Sequence, residues 1–282
     1  MEKKKKIIFA AGGVVLAFII YFAFEYIMYV ETDNAQVEAH SLLMSPRVSG
    51  FIKNVYITDG KKVKKDEVLI QIDDRDYKAA LEASRSEVLS LEARKTDLEK
   101  NYYRLKELLG KAVVSQQQFD AARASYHEIK AKYDSAVSRA TQAEINLEQT
   151  QIKAPTNGVI AKSSAEIGQL AAPGMALVGF VSSDERWILA NFKETDISDI
   201  KIGKSVDITI DAYSKTKYKG EVESISSATG ATFTLLPPDN ATGNFTKVVQ
   251  RVPVRIKIKD LSEDDRDRLQ AGLSAIVKVH IH

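Results

Sequence analysis

The side chains in this sequence best suited to chemistry are four histidines and two acidic runs. His40, His127, His280 and His282 are scattered, and only His280 and His282 are spaced to share one face of a strand. Two imidazoles supply half of a tetrahedral metal site, and no third ligand is spaced to join them. Asp73, Asp74 and Asp76 stand where a helix begins, and there negative charge suits the helix dipole. The run Asp264-Asp265-Arg266-Asp267-Arg268 reads as a solvated helix face. Asn240-Ala241-Thr242 matches a glycosylation acceptor pattern. The sequence holds no Gly-rich phosphate loop and no nucleophile elbow. It also holds no cysteine, which excludes a thiol nucleophile, a disulfide framework, Cys-ligated zinc and a lipid-bearing cysteine. These residues predict a protein that is not an enzyme and carries no cofactor and no metal.

The charge distribution narrows the partners. The chain has 282 residues, 40 Lys+Arg, 38 Asp+Glu and a net charge of +2. Residues 1–6 carry four lysines and one glutamate, so the rest of the chain sums to −1. A balanced body argues against a general nucleic-acid surface. Hydrophobic content of 44% supports packed cores, and the length suits about two domains of ~150 residues.

Ile7 to Phe24 form an uncharged, largely apolar run of 18 residues, which Tyr26 to Val30 extend past Glu25. A helix of roughly 20 apolar residues crosses a bilayer. The lysines precede it, and Tyr21, Tyr26 and Tyr29 lie toward its far end, where rings suit the headgroup layer. A secretory signal would have a shorter apolar core and a small-x-small cleavage site. Here that place reads Phe22-Ala23-Phe24-Glu25-Tyr26. We therefore expect a cytoplasmic tail (1–6), an uncleaved transmembrane anchor (7–30) and everything beyond it outside the cytoplasm.

The body contains a repeat. From Gly50 and Gly158 onward two stretches align at a constant offset of 108: Gly50 with Gly158, Ile52 with Ile160, Gly60 with Gly168, Val63 with Ala171 and Leu69 with Leu177. Short alternating apolar stretches broken by glycine read as strands and tight turns. The two halves (42–75 and 150–183) are each too small for a core and should pair into one β-sandwich, with all four glycines at structural turns. Between them, 76–149 lack proline and keep a seven-residue repeat. Leu81, Val88, Tyr102 and Leu109 share one position; Tyr77, Leu91, Leu98 and Leu105 share the other. Beyond Gly110, Phe119, Tyr126, Tyr133, Ala140 and Leu147 repeat in the same way, beside Ala122, Ile129, Ala136 and Ala143. This pattern predicts an antiparallel coiled-coil hairpin about 50 Å long, with its tip at about 109–116.

From 184 to 282 five alternating stretches read as strands of a small barrel, with short helices over 194–202 and, capped by Ser262, over 263–271. The segment 31–41 alternates too and should join that barrel. The predicted fold class is multi-domain α+β, mainly β. It comprises an N-terminal transmembrane helix, a split lipoyl-like β-sandwich with an inserted antiparallel α-hairpin, and a C-terminal β-barrel.

This order of parts resembles the membrane fusion, or periplasmic adaptor, proteins of the HlyD family, and within it the EmrA type. TDNAQVEA (32–39), RWILANFKETDISDIKIGKSVDITIDAY (186–213) and TLLPPDNATGNFTKVVQRVPVRI (234–256) are similar to that family's characteristic stretches. The resemblance implies an adaptor subunit of a tripartite multidrug efflux system. Such a subunit is anchored in the inner membrane by one span, with its N-terminus cytoplasmic and its bulk periplasmic. It would link an inner-membrane transporter, proton-driven and of the major-facilitator kind, to a TolC-like outer-membrane channel, as a homo-oligomeric ring. The rival readings are an adaptor of an ABC-driven type I secretion system, a biotinyl or lipoyl carrier protein, and a coiled-coil envelope protein with no transporter.

Adaptors that dock on TolC-like channels carry Arg-x3-Leu-x6-Ser at the hairpin tip, and Arg104, Leu108 and Ser115 have that spacing. The resemblance implies a guanidinium fork, an apolar knob and a hydroxyl at the turn. Ser115 has a second use, as a capping box with Gln118. Two features depart from the family. The hairpin is short, and the place where carrier domains present a modified lysine reads Ile72-Asp73-Asp74-Arg75-Asp76, which leaves no amine to acylate.

Overall fold

The computed structural model describes residues 28–229 and 249–281. The expected anchor up to residue 27, the Asn240-Ala241-Thr242 pattern, His282 and the first part of the 234–256 stretch lie outside these residues. Among the described residues no helix is long and apolar enough to cross a membrane.

In chain order the strands before the helical arm are β1 (Tyr29–Glu38), β2 (Ser41–Met44), β3 (Gly50–Val55), β4 (Lys62–Val63) and β5 (Val68–Ile72). The arm is α1 (Arg75–Gly110) and α2 (Gln116–Glu148). After it come β6 (Gln151–Lys153), β7 (Gly158–Ser163), β8 (Leu170–Ala171), β9 (Val178–Ser182), β10 (Trp187–Lys193), β11 (Ser205–Ile210), β12 (Lys217–Ile225) and β13 (Arg251–Ile258). The chain closes with α3 (Glu263–Arg268) and β14 (Ser274–His280). Contacts divide the molecule into two units, residues 42–180 and the barrel formed by the segments on either side of them.

In the first unit two four-stranded sheets form the sandwich, ordered β2-β9-β7-β4 and β6-β5-β3-β8. Each sheet takes two strands from each half of the repeat. The offset of 108 carries one sheet onto the other, so Gly50 pairs with Ala171 where Gly158 pairs with Val63. The repeated residues Ile52, Ile160, Leu69 and Leu177 are all buried in the shared core. Neither half could bury these side chains alone, which is why the halves interleave. Gly60 and Gly168 sit in turns with φ of +80° and +84°, a left-handed conformation in which a side chain is strained. Gly50 and Gly158, expected as turn glycines, are instead the first residues of β3 and β7. At Gly50 the reason is space, because a Cβ there would lie 2.6 Å from Cγ2 of the fully buried Ile72.

The arm leaves from β5 and returns at β6, where the Ile72 amide donates to the Thr150 carbonyl at 2.8 Å and ties the two feet together. The helices run antiparallel with the expected residues on the seam: Leu81, Ala122, Ile129 and Ala136 are buried, and the other heptad positions are half-buried. Ion pairs cross between them, from Arg85 to Glu144 at 2.9 Å and from Arg139 to Glu87 at 2.7 Å.

The second unit is a closed antiparallel barrel in the order β1-β10-β13-β12-β11-β14. Inward residues alternate as period-two geometry requires, except where β1 and β12 bulge; Ile188, Ala190 and Phe192 of β10 are buried while their neighbours are not. The N-terminal segment does enter the barrel, but from Tyr29. Tyr29 and Val30, counted with the anchor by their apolarity, pair with His280 and Val279. The helix expected over 194–202 is only a 3-10 turn, Ile197–Asp199. That expected over 263–271 ends at Arg268. Ser262 caps it as foreseen, accepting from the Asp265 amide at 3.1 Å. Leu269 leaves the helix because its side chain is wholly buried in the barrel core, and its carbonyl accepts from Arg186 Nε at 2.8 Å.

Candidate docking site at the hairpin tip

The tip is built from the ends of two helices. The last turn of α1 closes through backbone bonds: the Lys111 and Val113 amides donate to the Leu108 carbonyl at 3.2 and 3.0 Å, and the Ala112 amide donates to Leu109 at 2.9 Å. α2 starts with a full capping box, in which Ser115 Oγ accepts from the Gln118 amide at 3.3 Å and Gln118 Oε1 accepts from the Ser115 amide at 3.1 Å. These bonds satisfy amides and carbonyls that helix ends leave open.

Arg104, Leu108 and Ser115 all lie within this region, and their availability differs. Arg104 is exposed and, among the described residues, has no ion pair. Leu108 shares the Arg104 face one turn on and is only half-exposed. Ser115 is exposed, but its oxygen already serves as the helix cap, leaving its proton to donate.

Sequence reasoning placed Tyr102, Phe119 and Tyr126 on the seam without seeing what they make there. Tyr102 stacks on Phe119 at 5.6 Å between centroids and on Tyr126 at 5.4 Å, the latter pair inclined by 11°. The Tyr126 hydroxyl donates to Glu99 Oε1 at 2.9 Å, and this carboxylate holds the phenol above its ordinary pKa. Offset aromatic pairs of this kind add to plain burial. They join the two helices just behind the tip. Aromatic residues one heptad apart were the available signal.

At the other end of the arm, Lys78 lies in the first turn of α1 and pairs with Asp74 at 2.7 Å. Arg75 forks onto Asp73 at 2.6 Å and holds that carboxyl down to about 2. The loop between the sandwich and the arm thus presents cations already matched to carboxylates.

The histidines go to separate places. His280 contacts Asp207 Oδ2 at 2.8 Å across neighbouring strands, with Tyr29 edge-on to its ring. His40 lies 3.6 Å from Glu185 and packs on Trp187. His127 lies beside Tyr126. Among the described residues no group of three or more His, Asp and Glu is placed to hold a metal ion.

Comparison with known proteins places this architecture. Residues 41–181 match the family model described as the RND MFP barrel-sandwich hybrid domain, and 186–280 match the AAEA-like beta-barrel domain. The colistin resistance protein EmrA of Acinetobacter baumannii is 31% identical, over 99% of this chain and 96% of its own length. That alignment runs over 340 positions, so this relative has residues inserted where the present chain of 282 has none. The multidrug export protein EmrA of Haemophilus influenzae is 32% identical over 94% of this chain and 80% of its length. In fold the chain is similar to a MacA–MexA chimeric protein carrying the Pseudomonas aeruginosa MexA α-hairpin domain. The TM-score is 0.63 at 24% identity, covering 90% of this chain and 82% of that one.

Proposed function

The chain belongs to the membrane fusion (periplasmic adaptor) proteins of the HlyD family, EmrA type, and from that premise we propose that it is the adaptor of a tripartite multidrug efflux system. It binds and assembles, and the transporter supplies the energy. In this reading an anchor that starts at Ile7 and ends before the barrel strand at Tyr29 holds it in the inner membrane beside a proton-driven major-facilitator transporter, with its bulk in the periplasm. Sandwich domains pack side by side in a ring through a heterologous interface that closes on itself. The hairpin tips meet a TolC-like outer-membrane channel through Arg104, Leu108 and Ser115.

The observation that carries this reading is the split sandwich. Each of its sheets draws on both halves of the repeat, and the 36- and 33-residue helices of the arm are inserted between those halves. An arm tied at both feet can transmit position from the sandwich to its tip, and a coiled coil without such a base has no need of the interleaving. The scaffold reading is favoured over a carrier reading by Lys78, which is helical and engaged by Asp74.

The test is drug susceptibility in a strain whose own copy is deleted. Wild-type chain should restore resistance, and Arg104→Asp with Leu108→Ser should not, at equal expression. If the deletion leaves susceptibility unchanged across a broad drug panel, the efflux role falls. If the double variant restores resistance fully, only the tip assignment falls. Co-purification with a many-helix transporter would separate this role from a transporter-free envelope protein.

A further inference from the structure

The apolar residue that the Arg-x3-Leu-x6-Ser spacing supplies is not the one the tip displays. Leu108 is half-buried and its carbonyl takes two amide protons to close the helix. Val113, outside the motif, is 66% exposed. Its presentation depends on a backbone conformation that the local residue does not favour: Ala112 has φ of +56°, in the left-handed region where a Cβ is disfavoured. Gly110, two residues earlier, is still helical and takes no part in the left-handed turn. The turn is a left-handed helix ending, closed by the Val113-to-Leu108 and Ala112-to-Leu109 bonds, and alanine stands where glycine would make it without strain.

The charges of the tip segment are one-sided. Lys111 is matched by Glu107 at 2.5 Å, whereas exposed Arg104 and Lys106 have no carboxylate partner among the described residues. Residues 104–115 hold three cations and one anion, a surplus of +2.

We propose that Val113, held out by the left-handed turn at Ala112, is the apolar contact that seats the tip in its protein partner. Its seat on that partner is an apolar notch rimmed by carboxylates, which Arg104 and Lys106 match in sign. This rests on the docking reading above and adds to it the residue that enters the notch and the chemistry of the receiving surface. Buried apolar anchors ringed by polar contacts carry most of the energy of such interfaces.

The experiment uses the full-length chain in the deletion strain, with expression and helix content checked for each variant. Val113→Asp should fall to the level of the deletion, Val113→Ser should be intermediate, and Val113→Leu should restore resistance. Ala112→Gly should behave as wild type, and Ala112→Val should lose resistance, because a β-branched residue resists the left-handed turn. Lys106→Glu combined with Arg104→Glu should also lose it. Full resistance with Val113→Asp, while Arg104→Asp with Leu108→Ser loses it, overturns this inference and leaves tip docking standing. Full resistance with all of these variants overturns tip docking itself.

Discussion

At the scale of single residues, Tyr102 shows how position and role differ. Its heptad place was legible; its stacking between Phe119 and Tyr126 was not, because ring geometry depends on how two helices meet. Tyr102→Ala removes both stacks and should cost about 2 kcal/mol, read as a loss of helix-arm stability in thermal melts followed by circular dichroism. Tyr102→Phe should be neutral, since no partner bonds the Tyr102 hydroxyl among the described residues. Asp73 makes a pH-dependent contribution. Arg75 holds its carboxyl below the ordinary 3.8, at about 2, so its stabilising effect is complete above pH 3.8 and is lost as the pH falls toward 2. Asp73→Asn should therefore lower the melting temperature at pH 7 and change it little near pH 2. The capping box at Ser115 was legible, because it needs only residues three apart.

At the scale of elements, local pattern located the strands and helices well and misjudged where some of them end. β10, β11, β13 and β14 alternate strictly and formed within one residue of the expected places, whereas β12 begins three residues before Gly220 and β1 ends three residues before 41. α3 stopped three residues early because Leu269 had a better use in the core than in another helical turn. Arg186 is tied to that choice. It is only 8% exposed, and its guanidinium donates to the Leu269, Ser182 and Glu185 carbonyls. No periodicity marks an arginine for burial, so this anchor was invisible in the sequence. Arg186→Met would take the guanidinium donor away from those carbonyls and should destabilise the barrel by about 2–4 kcal/mol in chemical denaturation, leaving the arm's helical signal in place. In the sandwich, Gly50→Ala forces a Cβ against Ile72 and should cost about 1–3 kcal/mol in the same measurement.

At the scale of the whole molecule, the sandwich and the arm are separable in principle. The Ile72–Thr150 bond brings the two feet together, and the buried residues of the sandwich core come from its own strands and turns, none from the arm. Replacing 76–149 by a short Gly-rich turn should yield a chain that keeps its β signal and loses its helical signal in circular dichroism. That chain should fail to restore drug resistance in the deletion strain. Loss of the β signal would show that the arm is needed for the sandwich to form.

Within the described residues the sequence by itself determined the sandwich, the arm and the barrel and their order. A repeat at fixed offset, a seven-residue apolar period and strict alternation each reflect a local geometric rule, and one chain is enough to display them. At the tip, the Arg104–Leu108–Ser115 spacing could be read from the sequence, and the structure puts these residues near the end of the hairpin. Only the tertiary structure decided which side chains stand out there. Exposure of Val113, half-burial of Leu108 and the left-handed turn at Ala112 follow from how α1 ends against α2. Tertiary structure also decided that the two repeat halves exchange strands rather than fold as neighbours. Burial is a property of what surrounds a residue, and in the sandwich those surroundings come from segments about a hundred residues away in sequence.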